Sequence, residues 1–172
     1  MNPSNRHVFK FCPHCRADMI LRPEGGLARP ACPDCGFVQY LNPAPGAGVV
    51  VVRDRKVCLV KRKFPPKEGQ WSFPTGFMEW DEDVQLTARR EALEETGLEV
   101  RLTELYAVES GILPPDIPVL VVFYRAEEIG GKLQAGDDAA DVGFFGSGEV
   151  PGPVAFAAHR RVLARLAEEW DS

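Results

Sequence analysis

Residues 76–98 read GFMEWDEDVQLTARREALEETGL, and this stretch decides the fold. From Glu82 to Thr96 it contains neither glycine nor proline. Asp81 stands where an amino-terminal cap belongs and Gly97 where a carboxy-terminal cap belongs, so a helix is predicted over 82–96. At about 100° per residue, Glu91, Glu94 and Glu95 share one arc of roughly 100°. Leu86 and Leu93 fall on roughly the opposite face. The expectation is that the leucines bury against a sheet while the glutamates look outward. Like charges spaced i,i+4 cost a few tenths of a kcal/mol, so helix stability does not explain the triad. A divalent cation among them would reverse the sign of that effect; the alternative is a solvated acidic face.

Outward from this helix the chain alternates strands and turns. Upstream, AGAGVVVVR and KVCLVKRK are β-branched runs around Asp54-Arg55, a hairpin pattern. Cys58 lies inside the second run and reads as a small buried thiol rather than a nucleophile. Downstream, LEVRLTELYAVE and IPVLVVFYRAEE read as strands joined by SGILPPD, and DVGFF as a shorter one. The final AFAAHRRVLARLAEEW repeats apolar residues at helical spacing: Phe156, Val162 or Leu163, then Leu166 or Trp170. Strands mixed with two helices indicate an α/β layered domain.

The amino-terminal segment follows different rules. Cys12-Pro13-His14-Cys15 and Cys32-Pro33-Asp34-Cys35 present two CxxC pairs around a Pro- and Gly-containing hairpin sequence, the spacing of a zinc ribbon. So short a segment cannot bury enough apolar surface to fold alone, and Zn2+ would supply what its core lacks. With all four positions taken by cysteine, the zinc reads as structural, and His14 as a solvent-facing turn residue. The sequence YLNPAPG over 40–46 marks a boundary. The expected organisation is a tail over 1–11, a ribbon over 12–41 and the main domain over 42–172.

Composition narrows the function classes. The 172 residues are 45% hydrophobic and 26% charged, ordinary for a globular chain, and no apolar run approaches the ~20 residues of a membrane-spanning helix. No membrane partner is expected. The opening MNPSNRHVFKF lacks an apolar run of signal-peptide length, which gives the expectation of a cytoplasmic chain in a reducing compartment. The formal net charge is -5, and four thiolates around one Zn2+ would make it more negative. That balance weighs against nucleic acid as a partner. A phosphorylated substrate would have to be met by local basic groups or metal ions.

The spacing Gly76, Glu82, Arg90-Glu91, Glu94-Glu95, Gly97-Leu98 resembles the Nudix box, the signature of the Nudix hydrolases. Ala92 stands where a bulkier aliphatic residue is typical, and the preceding GQWSFPTG over 69–76 is similar to the family's lead-in. The resemblance implies a mixed sheet sandwiched between helices. It also implies hydrolysis of a nucleoside diphosphate derivative by water attack on phosphorus, assisted by Mg2+ or Mn2+. Glu91, Glu94 and Glu95 would hold the metal ions, with the Gly76 carbonyl joining them. Arg90 would orient carboxylates through a salt bridge, and Glu82 would support it. Members of the family place the general base on the box helix or on a later loop. Here that loop contains Asp138, which reads either as the base or as part of a solvated acidic loop.

A ribbon ahead of such a domain is similar to NADH diphosphatases and to plant-type FAD and ADP-ribose diphosphatases. The NADH enzymes carry SQPWPFPxS after the box, where this chain has SGILPPDIPV. ADP-ribose or FAD is therefore the favoured substrate, split to AMP and a phosphorylated product, with NADH as the alternative. Phe77 corresponds to an aromatic that stacks on the nucleobase in the NADH enzymes; it could equally be core. Arg62, among Lys61, Arg62 and Lys63 at a strand end, is the choice for a phosphate contact, since alternation forbids all three from pointing inward. The resemblance also implies a homodimer. The rival reading is a non-catalytic nucleotide sensor whose ribbon binds a protein or RNA partner.

Overall fold

The computed structural model describes residues 8–136, 138–146 and 148–171. Most of the expected tail, and Asp137 of the acidic loop, lie outside them. The chain divides into two compact units that meet at Asn42 and Pro43.

In the first unit, strands β1 (Ile20–Glu24) and β2 (Leu27–Ala31) pair antiparallel. The turn between them uses Gly25 and Gly26, both at positive φ, the two-residue geometry that matches strand twist. The two CxxC turns bring their thiols together: Cys12 and Cys35 Sγ are 3.5 Å apart, and Cys15 and Cys32 Sγ 3.4 Å apart. Residues before Cys12 already belong to this unit, since the Phe9 N–H donates to Gln39 Oε1 at 2.8 Å and Lys10 C=O accepts from Met19 N–H at 3.0 Å.

The second unit is built on a mixed sheet. β3 (Ala44–Arg53) turns through Asp54 and Arg55, both left-handed, into antiparallel β4 (Lys56–Arg62). The short β5 (Trp71–Ser72) and β6 (Thr75–Phe77) pair with β4 and β3. β7 (Leu98–Leu113) and β8 (Ile117–Gly131) form a long hairpin, and β8 lies parallel to β3. β9 (Ala139–Phe145) joins the far side of β4. The SGIL of the expected connection continues β7, leaving only Pro114, Pro115 and Asp116 in the turn.

Two helices cover the two faces. α1 (Val84–Thr96) packs Ala88 and Ala92 onto Ala47, Val49, Val51 and Leu98. α2 (Ala157–Asp171) packs Val162 and Leu166 onto Val50, Leu59, Phe73 and Phe123. Cys58 is wholly buried in the first of these cores, and burial pushes its thiol up to about 12. Phe156 stands just before α2 rather than on its apolar face.

Two expectations for α1 are corrected. The cap is Asp83, not Asp81: its Oδ1 accepts from Gln85 and Leu86 N–H, each at 2.8 Å, and satisfies two orphan donors. The faces are also exchanged. Leu86 and Leu93 are 46% and 50% exposed, whereas Glu91 and Glu95 are buried. Small residues decide this, because Thr87, Ala88, Ala92 and Thr96 let the helix approach the sheet closely and carry the glutamates inward between them.

Candidate active site

β6 and α1 build the site together. Gly48 on β3 lies so close to Thr75 that a methyl group on it would fall 2.0 Å from Thr75 Cγ2, so the strand carrying Thr75 and Gly76 can sit tightly on β3. A methyl on Gly76 would likewise fall 2.0 Å from Glu91 Oε1. The helix therefore sets the Glu91 carboxylate against bare backbone. One turn later the Glu95 carboxylate accepts the Thr75 backbone N–H at 3.0 Å.

Arg90 organises the outer acidic groups. Its Nε and Nη2 donate to Glu82 at 2.6 and 2.9 Å, a bidentate pair, and Nη2 also donates to the Phe77 carbonyl at 3.0 Å. Its Nη1 donates to Glu91 at 2.6 Å and Glu94 at 2.8 Å. Glu82 also accepts from Thr87 Oγ1 and from Glu79 N–H. The guanidinium holds the Glu82 carboxyl down at about 2. Burial does the opposite on the inner side: it raises Glu91, and it lifts Glu95 to about 8, with the neighbouring Glu91 charge adding to the effect.

Glu91 and Glu95 open on a cleft of about 280 Å³. Gly46, Gly76, Leu113, Val119 and Val121 line part of its wall. Phe77 lies at the cleft, 49% exposed, so it is not a core residue. Arg62 reaches the cleft from the end of β4, where the pairing with β9 skips Ala140. Its Nε donates to Pro66 C=O at 2.8 Å and its guanidinium rests 5.2 Å from the centre of the Phe156 ring. Asp138 is on the same lining, its backbone carbonyl accepting from Lys63 N–H. Glu94, 42% exposed at its side chain, leans toward Arg90 instead. Among the described residues, the four cysteines are the group whose ligand atoms all lie within 4.8 Å of one another; the three glutamates are not gathered so tightly.

Two contributors escaped the sequence reading. The Thr75 N–H is a backbone group and leaves no trace in residue type. His159 lines the cleft from α2, and its signal was its position three and seven residues before Val162 and Leu166, on the buried face.

The donor set fits a hard divalent cation. Two buried carboxylates and a neighbouring third lie in the last turns of a helix, at its negative end, where stability alone would favour lysine or arginine. Arg90 pairs with Glu91 and Glu94, and burial keeps Glu95 protonated up to about 8; a bound divalent cation would favour the ionised form of all three.

Comparison with known proteins agrees with this geometry. The chain shares 36% identity and a TM-score of 0.81 with the crystal structure of a NUDIX hydrolase from Nitrosomonas europaea, covering 94% of this chain and 92% of that one. It is 37% identical over 115 residues to an ADP-ribose pyrophosphatase of Methanocaldococcus jannaschii, covering 65% of this chain and 67% of that protein. It is 26% identical over 168 residues to the NAD-capped RNA hydrolase NudC of Vibrio cholerae, covering 94% of this chain but only 60% of that relative's length. The NUDIX domain family matches residues 42–166. With its box carried on β6 and α1 and Glu91 and Glu95 lining the cleft, the chain belongs to the Nudix hydrolases.

Proposed function

We propose that this Nudix hydrolase is a Mg2+- or Mn2+-dependent diphosphatase that cleaves ADP-ribose, FAD or a related nucleoside diphosphate derivative to AMP and a phosphorylated product. The observation that carries this reading is the pairing of buried Glu91 and Glu95 with Arg62 around one cleft, acidic groups on one part of the lining and a cation on another. Glu91, Glu95 and Glu94 would hold the metal ions, with the Gly76 carbonyl beside them. Bound there, such ions neutralise the diphosphate and lower the pKa of a coordinated water.

The chain's own groups supply the rest. Arg90 positions Glu82, Glu91 and Glu94. Arg62 meets phosphoryl oxygens, and Phe77 offers a face for the base. Asp138, facing the same cleft, can accept the proton of the attacking water. The cysteines of the first unit hold a structural Zn2+. The similarity to an ADP-ribose pyrophosphatase and the sequence after the box, SGILPPDIPV, support ADP-ribose over NADH. The match to an NAD-capped RNA hydrolase over 94% of this chain supports a second reading, a substrate with an NAD-type diphosphate such as NADH.

The test is product formation from ADP-ribose, FAD, NADH and nucleoside triphosphates with Mg2+ or Mn2+, repeated with Glu94→Gln and Glu95→Gln. AMP from ADP-ribose or FAD, lost in both variants, is the expected result. Hydrolysis of NADH alone would transfer the assignment to the second reading, and wild type and variants equally inert would reject a diphosphatase.

A further inference from the structure

Among the described residues, His159 is the one contributed to the cleft lining by the body of α2, and nothing in the box requires it. It is 3% exposed and set among aromatic rings: edge-on to Phe123 at 5.3 Å between centroids, and 5.9 and 5.2 Å from Phe73 and Phe156. Its Nδ1 accepts the backbone N–H of Phe73 at 3.1 Å. A ring nitrogen that accepts a hydrogen bond carries no proton, so in the neutral ring the proton sits on Nε2. Burial, and the charges of Arg62 and Arg160, hold the ring uncharged by lowering it to about 3. Among the described residues no acceptor meets this Nε2–H, yet Nε2 is not one of the buried unpartnered side-chain atoms, and His159 lines the cleft.

The chemistry of the cleft says what such a donor would meet. Glu91, Glu95 and Asp138 offer acceptor oxygens, while Arg62 and His159 offer side-chain donors. Arg62 and His159 flank the same ring, that of Phe156, with its centre 5.2 Å from each. Phosphoryl oxygens only accept, and in this cleft they would collect where the donors are. We infer that His159 is a substrate-binding residue whose Nε2–H donates to a phosphoryl oxygen of the nucleoside diphosphate beside Arg62. A neutral, pre-oriented donor suits this place: it adds a directional bond without a second buried cation next to Arg62.

This inference rests on the diphosphatase reading, and two measurements keep the two apart. In His159→Asn the side-chain amide oxygen can still take the Phe73 N–H, but the Nε2 donor is gone. In His159→Gln the amide N–H2 can reach the Nε2 position, but the acceptor for Phe73 is lost. The expected result is that His159→Asn keeps its melting temperature and loses about tenfold in kcat/KM for ADP-ribose with Mg2+. His159→Gln should melt lower while keeping more of its kcat/KM. If His159→Asn keeps both, the role is structural and the inference falls. The second measurement is the imidazole Nε2–H signal of the wild-type protein in nitrogen-resolved NMR, which should move on adding AMP or ADP and stay in place with adenosine. An equal response to adenosine overturns the phosphoryl assignment. This titration decides alone should His159→Asn not fold. It also judges His159 if the wild type cleaves none of the diphosphates, an outcome that rejects the diphosphatase reading instead.

Discussion

The Glu91 carboxylate lies directly over the α-carbon of Gly76, so close that a single methyl group on that carbon would fall 2.0 Å from Oε1. The two residues are fifteen apart in sequence, and β6 and α1 meet through them. Glycine at 76 is needed for the space it leaves rather than for backbone freedom.

Gly76→Ala is therefore expected to displace the Glu91 side chain while the fold persists, because the clashing atoms are the far end of a flexible chain. Thermal melting should show only a small loss of stability. Steady-state kinetics should show at least ~100-fold loss of activity, the cost of about 1 Å of misplacement at a reacting centre.

Arg90 donates to three glutamates and a carbonyl at once, with its side chain only 25% exposed. Lysine has one compact ammonium and cannot span them. Arg90→Lys should raise the Mg2+ concentration needed for half-maximal activity by about 10–100-fold, as loss of a partner that orients metal ligands does. Titrating activity against Mg2+ measures this directly.

Burial raises the Glu95 carboxyl to about 8 in the folded protein, above its ordinary value of 4.5. The folded state then binds more protons than the unfolded state between these values. The stabilisation from protonated Glu95 is complete below about 4.5 and is lost as pH rises through about 8. In a chelator the melting temperature should fall over that window, and Glu95→Gln should flatten the fall. Added Mg2+ should restore stability at the alkaline end in the wild type and less in the variant.

Phe77 is half-exposed at the cleft with its carbonyl tied to Arg90, and under the proposed function its ring would stack on the base. Phe77→Ala should raise KM for ADP-ribose by about 5- to 10-fold, the worth of an aromatic pair, with a smaller change in kcat. An unchanged KM would remove the stacking role.

The thiol group within 4.8 Å leads to a further expectation: elemental analysis of the purified protein should find one zinc per chain. Cys32→Ala should release it. Since such sites supply on the order of 10 kcal/mol of folding free energy, the segment before Asn42 should then become protease-sensitive.

Much of the architecture was legible because it rests on local chemistry. The glycine- and proline-free run ending at Gly97 specified α1, whose carboxy-terminal cap is left-handed at φ 71°, and the β-branched runs specified β3 and β4. The Asp83 cap was harder to read, because acidic residues stand at 81, 82 and 83 and only the path of the loop reveals which is free. Glu82 is engaged by Arg90 and Thr87, which leaves Asp83 for the helix.

The orientation of α1 was misread for a physical reason. Periodicity places residues on faces of a helix but does not say which face the protein buries. Hydrophobicity argued for Leu86 and Leu93, whereas close approach to the sheet required Ala88, Ala92 and Thr87, and this brought Glu91 and Glu95 inside. The sequence alone thus determined which residue types recur at which intervals, and so the helices, the longer strands, the paired cysteines and the family. Only the tertiary structure decided which carboxylates are buried, that Thr75 presents its N–H to one of them, and that Arg62 and His159 arrive at the same cleft. These are contacts between segments distant in the chain, set by packing, and packing leaves no period to read.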